Sequence, residues 1–332
     1  MLDRDSPSTL RMPHAEAHAL GMRALTRLGL AEAEARTVCD HLVDNMLCGY
    51  AFAGLPRILA MADSREMQAP RTPVTVIHET PLSALIDGGN HVGYISVAKA
   101  ADMAVEKARA GGFAVVGVCN SWFSGRNSYY LERVARAGLI GIHTASGSAM
   151  VVPSGATRPA LGTNPIAFAL PSRDDPLIFD MGTGATMWGE VLLKALLGED
   201  FDEAVGVDAA GTPTKSARAI VDGGVLPFGG HKGYGLSLVI QSLGMLAGAR
   251  RRRGEVLDFG FLFIVFSPTL LMPLDEFTTQ LAELIGKIKA LPRQPGVDEI
   301  RIPSERSFRE REIRRHEGVL LERAVHERLL AF

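Results

Sequence analysis

The residues best suited to chemistry in this chain lie in a few short stretches. In PFGGHKGYGLSL, residues 227–238, glycines at 229, 230, 233 and 235 open a helical pattern, and Lys232 stands at its entrance. Free N–H groups and the positive end of the helix dipole suit an anion there. An ordinary helix start explains the same glycines, and GxxxxGK[ST], the phosphate-binding P-loop, is absent. In LGTNPIAFALP, residues 161–171, Asn164 sits beside a proline in a turn before a strand, where its amide can donate to a ligand or simply close the turn. In GYAFAGLPR, residues 49–57, Arg57 closes an apolar, glycine-punctuated stretch. A guanidinium fork suits a carboxylate, and a surface salt bridge near a helix end is the plain alternative. GGNHVG at 88–93 lacks the order G-x-G-x-x-G and is expected to be a tight turn.

The elements that hold these stretches follow from composition and spacing. At 332 residues the chain exceeds the size at which one core stops growing, so two domains, or one with a long excursion, are expected. Lys+Arg 35 against Asp+Glu 37 gives no charge excess for nucleic acid. Cys39, Cys48 and Cys119 are isolated, which argues against disulfides, a metal site or an oxidising compartment, and a cytoplasmic location is expected. The acidic N-terminus without an unbroken apolar run, and apolar segments too short or too interrupted by glycine to span a bilayer, lead to the expectation of neither export nor membrane insertion. Pro13 to Arg65 shows helical spacing, broken at Gly29 and between Gly49 and Pro56. TPVTVIHET and SALIDGG are expected strands, and VGYISVAKAADMAVEKARAGG an amphipathic helix ending at Gly111 or Gly112. From Phe113, the runs FAVVGVCN, LIGIHTAS, MVVPSG, PIAFALPS and PLIFDMG follow one another with one helix, NSYYLERVARAG, among them. Strands so closely spaced favour a mixed or antiparallel sheet. KGYGLSLVIQSLGMLAGA reads as a helix, DFGFLFIVFSP as a strand pair, RRRR at 250–253 as a solvated loop, and the tail from Asp275 as charged helix.

Taken in order, GTNPIAFALP, LIFDMGTGATMWGE, VDAAGTPT and PFGGHKGYGLSL resemble the malate/L-lactate dehydrogenase type 2 family. That family includes ureidoglycolate, sulfolactate and diketogulonate oxidoreductases and piperideine-2-carboxylate reductases. The resemblance covers nearly the whole chain. It implies an α/β fold of the α+β type. A helical substrate and dimerisation lobe, residues 1–115 and 274–332, would receive a non-Rossmann nicotinamide-binding domain, residues 116–273, with a largely antiparallel sheet. It further implies NAD or NADP as cofactor and a homodimer with its site between domains. The cofactor contacts it implies are Asn164; the loop Phe179, Asp180, Met181, Gly182, Thr183, Gly184 and Ala185, with Asp180 as its acid; and His231 with Lys232. Ser304, Glu305 and Arg306 in IPSERSF align with the family's Pro-Gly-Glu turn, with serine in place of glycine.

The chain departs from the family where protons are handled. The family motif Ser-His-Gly-x-x-Arg aligns with GYAFAGLPR through Gly54 and Arg57, so its serine falls on Phe52 and its histidine on Ala53. A second family histidine falls on Phe123 in NSWFSGRNSYY, where Asn120, Ser121 and Gly125 still match. Reducing a ketone needs a placed acid worth roughly 10²–10⁴-fold, whereas an iminium brings its own proton. The expected activity is therefore NAD(P)H-dependent hydride transfer at the α-carbon of a small carboxylate-bearing substrate, an imino acid. Arg57 would hold the carboxylate, and Phe52, Ala53, Phe123 and Arg126 would line the site. One alternative is a 2-hydroxy/2-keto acid dehydrogenase whose acid has moved to His143, Tyr50 or Arg126, with His41 further off. A lone histidine on an alternating strand, such as His143, is more often structural. Another alternative is a non-catalytic dimer that binds cofactor or metabolite.

Overall fold

Alanine and leucine at helical spacing shape the first lobe of the computed structural model, which describes residues 8–249 and 259–332. After β1 (Thr9–Met12) come α1 (His14–Arg27), α2 (Glu32–Leu47), α3 (Pro56–Ala62) and α4 (Arg65–Gln68). Then β2 (Thr75–Thr80) and β3 (Ser83–Val92) lead into α5 (Gly93–Gly111) and β4 (Phe113–Trp122). Tyr94, Val97, Ala101, Ala104 and Ala108 recur on the buried face of α5. GGNHVG is not a turn between elements. Its first five residues lie in β3, where pairing to β4 shifts register between Asp87 and His91 as a bulge does, and Gly93 starts α5.

The chain continues through α6 (Asn127–Arg136), β5 (Ile140–Ala145), β6 (Ile166–Leu170), β7 (Leu177–Met181) and α7 (Trp188–Leu197). A small three-stranded sheet follows, of β8 (Gly206–Val207), β9 (Pro213–Thr214) and β10 (Gly224–Val225), with α8 (Ala217–Asp222) before its last strand. The remainder is α9 (His231–Leu246), β11 (Phe261–Phe266), α10 (Leu274–Lys289), α11 (Glu305–Glu317), β12 (Val319–Glu322) and α12 (Arg323–Leu330). The main sheet has the order β2-β3-β4-β11-β5-β6-β7, and among the described residues only its β3–β4 pairing is parallel. The fold is thus a mixed α/β one with a largely antiparallel sheet. FLFIVF is continuously apolar because β11 sits at the centre of that sheet, between β4 and β5.

Several expectations need correction. The boundary expected at 115/116 falls inside β4, and β2 and β3 join the same sheet as the strands that follow. MVVPSG forms only isolated bridges, Val151 to Leu161 and to Val225, since one strand residue cannot extend a ladder. Among the described residues DFGFLFIVFSP supplies one strand, β11, and the arginine run at 250–253 lies outside them. The tail is not helix alone, because β12 pairs with β1, Thr9 opposite Glu322 and Met12 opposite Val319. The three cysteines are buried, and none of them is in a disulfide among the described residues. Among the described residues no cluster of three His, Cys, Asp or Glu could hold a metal, and no helix is long and apolar enough to cross a membrane.

Helix α9 is seated on the sheet by two glycines. A Cβ on Gly260 would stand 2.2 Å from the Gly244 carbonyl oxygen, and one on Gly244 would stand 2.0 Å from Ser146 Oγ. The Gly260 N–H donates to that same hydroxyl at 2.9 Å. An alanine in a helix interior normally gains about 0.5–1 kcal/mol over glycine. At Gly244 the sign should reverse, because overpacking costs about 1–3 kcal/mol. Gly244→Ala is expected to lower the urea midpoint of unfolding, and a raised midpoint would show that the contact gives way freely.

Candidate functional site

A cavity of about 260 Å³ opens between the first lobe and the β5–β7 edge of the sheet. Its walls come from the turn at 50–57, the loop between β4 and α6, the ends of β5 and β7, and the start of α7. Arg57 enters from the first turn of α3, where Pro56 occupies an N-terminal position that needs no N–H donor. Its guanidinium lies over the Phe123 ring at 4.7 Å and passes 3.4 Å from where Gly189 of α7 would carry a Cβ. Arg57 is half-buried, yet among the described residues no carboxylate pairs with it. Phe52, Ala53 and Phe123 supply the apolar lining around it.

Phe123 is held at φ +51, a conformation that a bulky side chain adopts only when its surroundings impose it. Those surroundings are specific. Trp122 Nε1 donates to the Asn90 carbonyl at 3.2 Å, Ser121 Oγ donates to the His91 carbonyl at 2.6 Å, and Tyr130 donates its hydroxyl to the Ser124 carbonyl at 2.5 Å. Helix α6 then starts against β7, since the Asp180 carboxylate accepts the Ser128 N–H at 2.8 Å. Burial pushes the Asp180 carboxyl up, against the pull of that N–H and of Arg126. Asp180 lines the cavity, but its charge serves the helix start.

Arg126 also lines the cavity, but it cannot act as a displaced acid or a free substrate contact. Its Nη2 donates to Asp44 at 2.5 Å, its Nε to Asn45 Oδ1 at 2.9 Å, and its backbone N–H to His41 Nε2 at 3.1 Å. Asn45 in turn donates to the Ala53 carbonyl at 2.8 Å, so one buried node fixes the turn at 51–53 and the loop at 123–126 together. Tyr50 lines the cavity mouth between the guanidinium groups of Arg126, 5.4 Å away, and Arg306, 5.5 Å away, and its hydroxyl bonds Ser307 Oγ at 2.9 Å.

The remaining residues singled out in the sequence divide clearly. Met181 and Gly182 line the cavity; Phe179 points outward, 42% exposed. Thr183, Gly184 and Ala185 form the loop behind, which is pinned to the approach to α9. Ala185 N–H donates to the Leu226 carbonyl at 2.7 Å, and Phe228 N–H to that of Thr183 at 3.0 Å. His231 and Lys232 are exposed at the start of α9, outside the cavity lining, where Gly229 and Gly230 turn the chain at φ +54 and +60. Ser304, at φ +69, donates its hydroxyl to the Ile178 carbonyl at 2.7 Å and so brings the 304–306 turn beside β7. Glu305 pairs with Lys289 at 2.6 Å. Asn164 lines the cavity, but its NH₂ is spent on Ser237 and Gln241, leaving only Oδ1 without a partner, so it is no donor to a ligand. Sequence reasoning missed Tyr94 and Asn127 in the lining. Asn127 is 1% exposed with both amide atoms unpartnered, and its only signal was a polar residue in the first turn of an amphipathic helix.

His143 is not in the site. It lies within the sheet, fully buried and stacked on Phe263 at 3.9 Å, and Nδ1 donates to the Leu262 carbonyl at 3.1 Å. An alternating strand pattern shows that a face is polar or apolar, but not that a polar residue has been buried within it. Burial drives the imidazole down to about 4 from an ordinary value of 6.5. The unfolded chain therefore takes up this proton first as pH falls, and stability present above pH 6.5 is lost toward pH 4. The loss is roughly 3 kcal/mol at about 1.4 kcal/mol per pH unit. In urea melts across that range His143→Leu should flatten the decline, leaving the part due to His41, whose burial acts in the same direction. An unchanged slope would contradict this account.

Comparison with known proteins places this geometry in a family. The malate/L-lactate dehydrogenase family description matches residues 12–330. The chain is 32% identical to the malate dehydrogenase of Pyrococcus abyssi, over 96% of this chain and 93% of that protein. It is equally 32% identical to the Delta(1)-pyrroline-2-carboxylate/Delta(1)-piperideine-2-carboxylate reductase of Pseudomonas putida, over 95% of each. The solved malate dehydrogenase of Pyrococcus horikoshii OT3 superposes with a TM-score of 0.88 at 30% identity, covering 99% of this chain and 96% of that one. With its fold and nearly its whole length shared, the chain is an oxidoreductase of the malate/L-lactate dehydrogenase family.

Proposed function

We propose that this enzyme reduces a small imino acid at its α-carbon with NADH or NADPH. The observation that carries the reading is a half-buried Arg57 without an anionic partner, facing a cavity whose described lining holds neither histidine nor lysine. A guanidinium beside an aromatic face in an apolar pocket is incomplete until a carboxylate arrives, and the bidentate pair then fixes the substrate's orientation. With Asp180 and Arg126 already engaged, an iminium that carries its own proton suits the site better than a ketone. The similarity to a pyrroline- and piperideine-carboxylate reductase supports the same substrate class.

The residues present fit a nicotinamide cofactor. Its carboxamide offers one donor and one acceptor, the complement of the unpartnered Asn127 amide on the cavity wall. The 181–185 backbone, Lys232 at the positive end of α9, and Arg306 at the mouth would bind the dinucleotide's phosphates and ribose. When bound, the cofactor supplies the hydride; the protein orients the acceptor carbon and keeps water out.

We also propose a homodimer. Leu238, Val239, Met245 and Leu246 on α9 are each about half exposed or more, an apolar face that a second copy of the chain would cover. Light scattering should give twice the 35.6 kDa chain mass, and a monomer at micromolar concentrations would contradict it.

The activity is tested with cyclic imino acids and the matching 2-keto acids, read by loss of reduced-nicotinamide absorbance with each cofactor. The imines should be the faster substrates. Arg57→Lys keeps the charge but loses the fork, and kcat/KM should fall by about ten- to a thousandfold, through a lost charge-assisted bond and misorientation. Keto acids reduced as fast as imines by the wild type would overturn the imino-acid reading.

A further inference from the structure

Tyr94 stands in the first turn of α5, 1% exposed, with an edge on the same cavity as Arg57. Arg57 lines the same cavity and is the charged group that acts most strongly on the Tyr94 hydroxyl. A guanidinium only donates, so Arg57 can meet only a lone pair of the phenol oxygen and leaves the phenol's own hydrogen free. Among the described residues no acceptor holds that hydrogen. The ring itself cannot swing away. His41 packs its edge at 4.8 Å, and Cε1 comes within 2.4 Å of where Gly125 would carry a Cβ.

The charged and titratable groups around Tyr94 keep it protonated. Burial raises the phenol, and Arg57, facing it from α3, offsets part of that rise. His41, on α2, is neutral because burial takes its imidazole well below its ordinary range. Tyr130, on α6, is itself a phenol whose burial raises it well above its ordinary value.

We infer that Tyr94 is the proton donor to the substrate's α-heteroatom, and that it sets which protonation states of the substrate the enzyme can reduce. The inference rests on Arg57 as the carboxylate anchor. A carboxylate on Arg57 places the α-carbon one bond further and its nitrogen or oxygen two bonds further, inside the cavity that Arg57 and Tyr94 line together. The step balances. The C–H bond of the reduced nicotinamide breaks and a C–H bond forms at the α-carbon. The C=N or C=O π pair moves onto the heteroatom, which takes the Tyr94 proton, and water later returns a proton to the phenolate beside Arg57. An iminium needs no such proton, whereas a neutral imine or a ketone does. Tyr94 thus extends the enzyme from iminium substrates to neutral imines and ketones.

The test compares the full-length wild type with Tyr94→Phe on one cyclic imino acid and its 2-keto counterpart, across pH 5.5 to 9.5. On the keto acid the variant's kcat should fall by about a hundredfold or more, the size of a lost general acid. That loss should exceed its loss on the imine at acid pH by roughly tenfold or more. On the imine, the variant's deficit should widen as pH rises through the substrate's iminium pKa. Should Tyr94→Phe fail to fold, 3-fluorotyrosine at position 94 should shift the alkaline limb of keto-acid reduction downward by the difference between the two phenol pKa values. An active wild type with equal losses on both substrates and an unchanged pH profile in either variant would overturn the role of Tyr94 alone. A wild type that reduces neither substrate class would overturn the proposed activity, and this inference with it.

Discussion

The site depends on one buried ion pair. Arg126 and Asp44 lie deep between α2 and the loop before α6, where unpaired charges would cost several kcal/mol each. Their burial is tolerable because the remaining groups are also met: Asn45 accepts from Arg126 Nε, His41 accepts its backbone N–H, and Arg311 of α11 pairs with both Asp44 and Glu132. Through Asn45 the node reaches the Ala53 carbonyl, and through the Arg126 backbone it holds the strained Phe123 loop. Both walls that face the Arg57 guanidinium are therefore positioned by a charge pair that takes no part in the proposed chemistry.

Arg57 gains its meaning by contrast. The side chains of Arg126, Arg311 and Arg314 are each at most 9% exposed, and each has a carboxylate partner. Arg57 has an aromatic ring and a glycine backbone beside it instead. In an apolar cavity a charge interaction is stronger than in water, so an arriving carboxylate is held more firmly and in one orientation. Phe52, Ala53 and Phe123 contribute apolar lining to that cavity.

Much of the frame was legible in the sequence. The spacing of apolar residues marks α5, α6 and α9, and the close succession of strands points to an antiparallel sheet. The motif order carries the family. What stayed hidden depends on contacts distant in sequence: β1 against β12 joins residues some three hundred positions apart, and both are too short to signal as strands. Arg126 and Arg57 look alike in sequence, and only the fold shows that one is paired with Asp44 and the other is not. Tyr94 reads as one more apolar position of a buried helix face, because only the fold brings it onto the cavity wall beside Arg57. His143 attracts notice for its chemistry, but it stacks within the sheet.

The central claim, that the unpaired Arg57 holds the α-carboxylate in this cavity, is tested most directly by a ternary crystal structure. The crystals would contain reduced cofactor and a planar heteroaromatic 2-carboxylate that cannot accept hydride. The account predicts both carboxylate oxygens in bidentate contact with Arg57, the ring between Phe52 and Phe123, and no binding of the corresponding carboxamide. A carboxylate seated elsewhere, or a carboxamide bound equally well in the same pose, would contradict it.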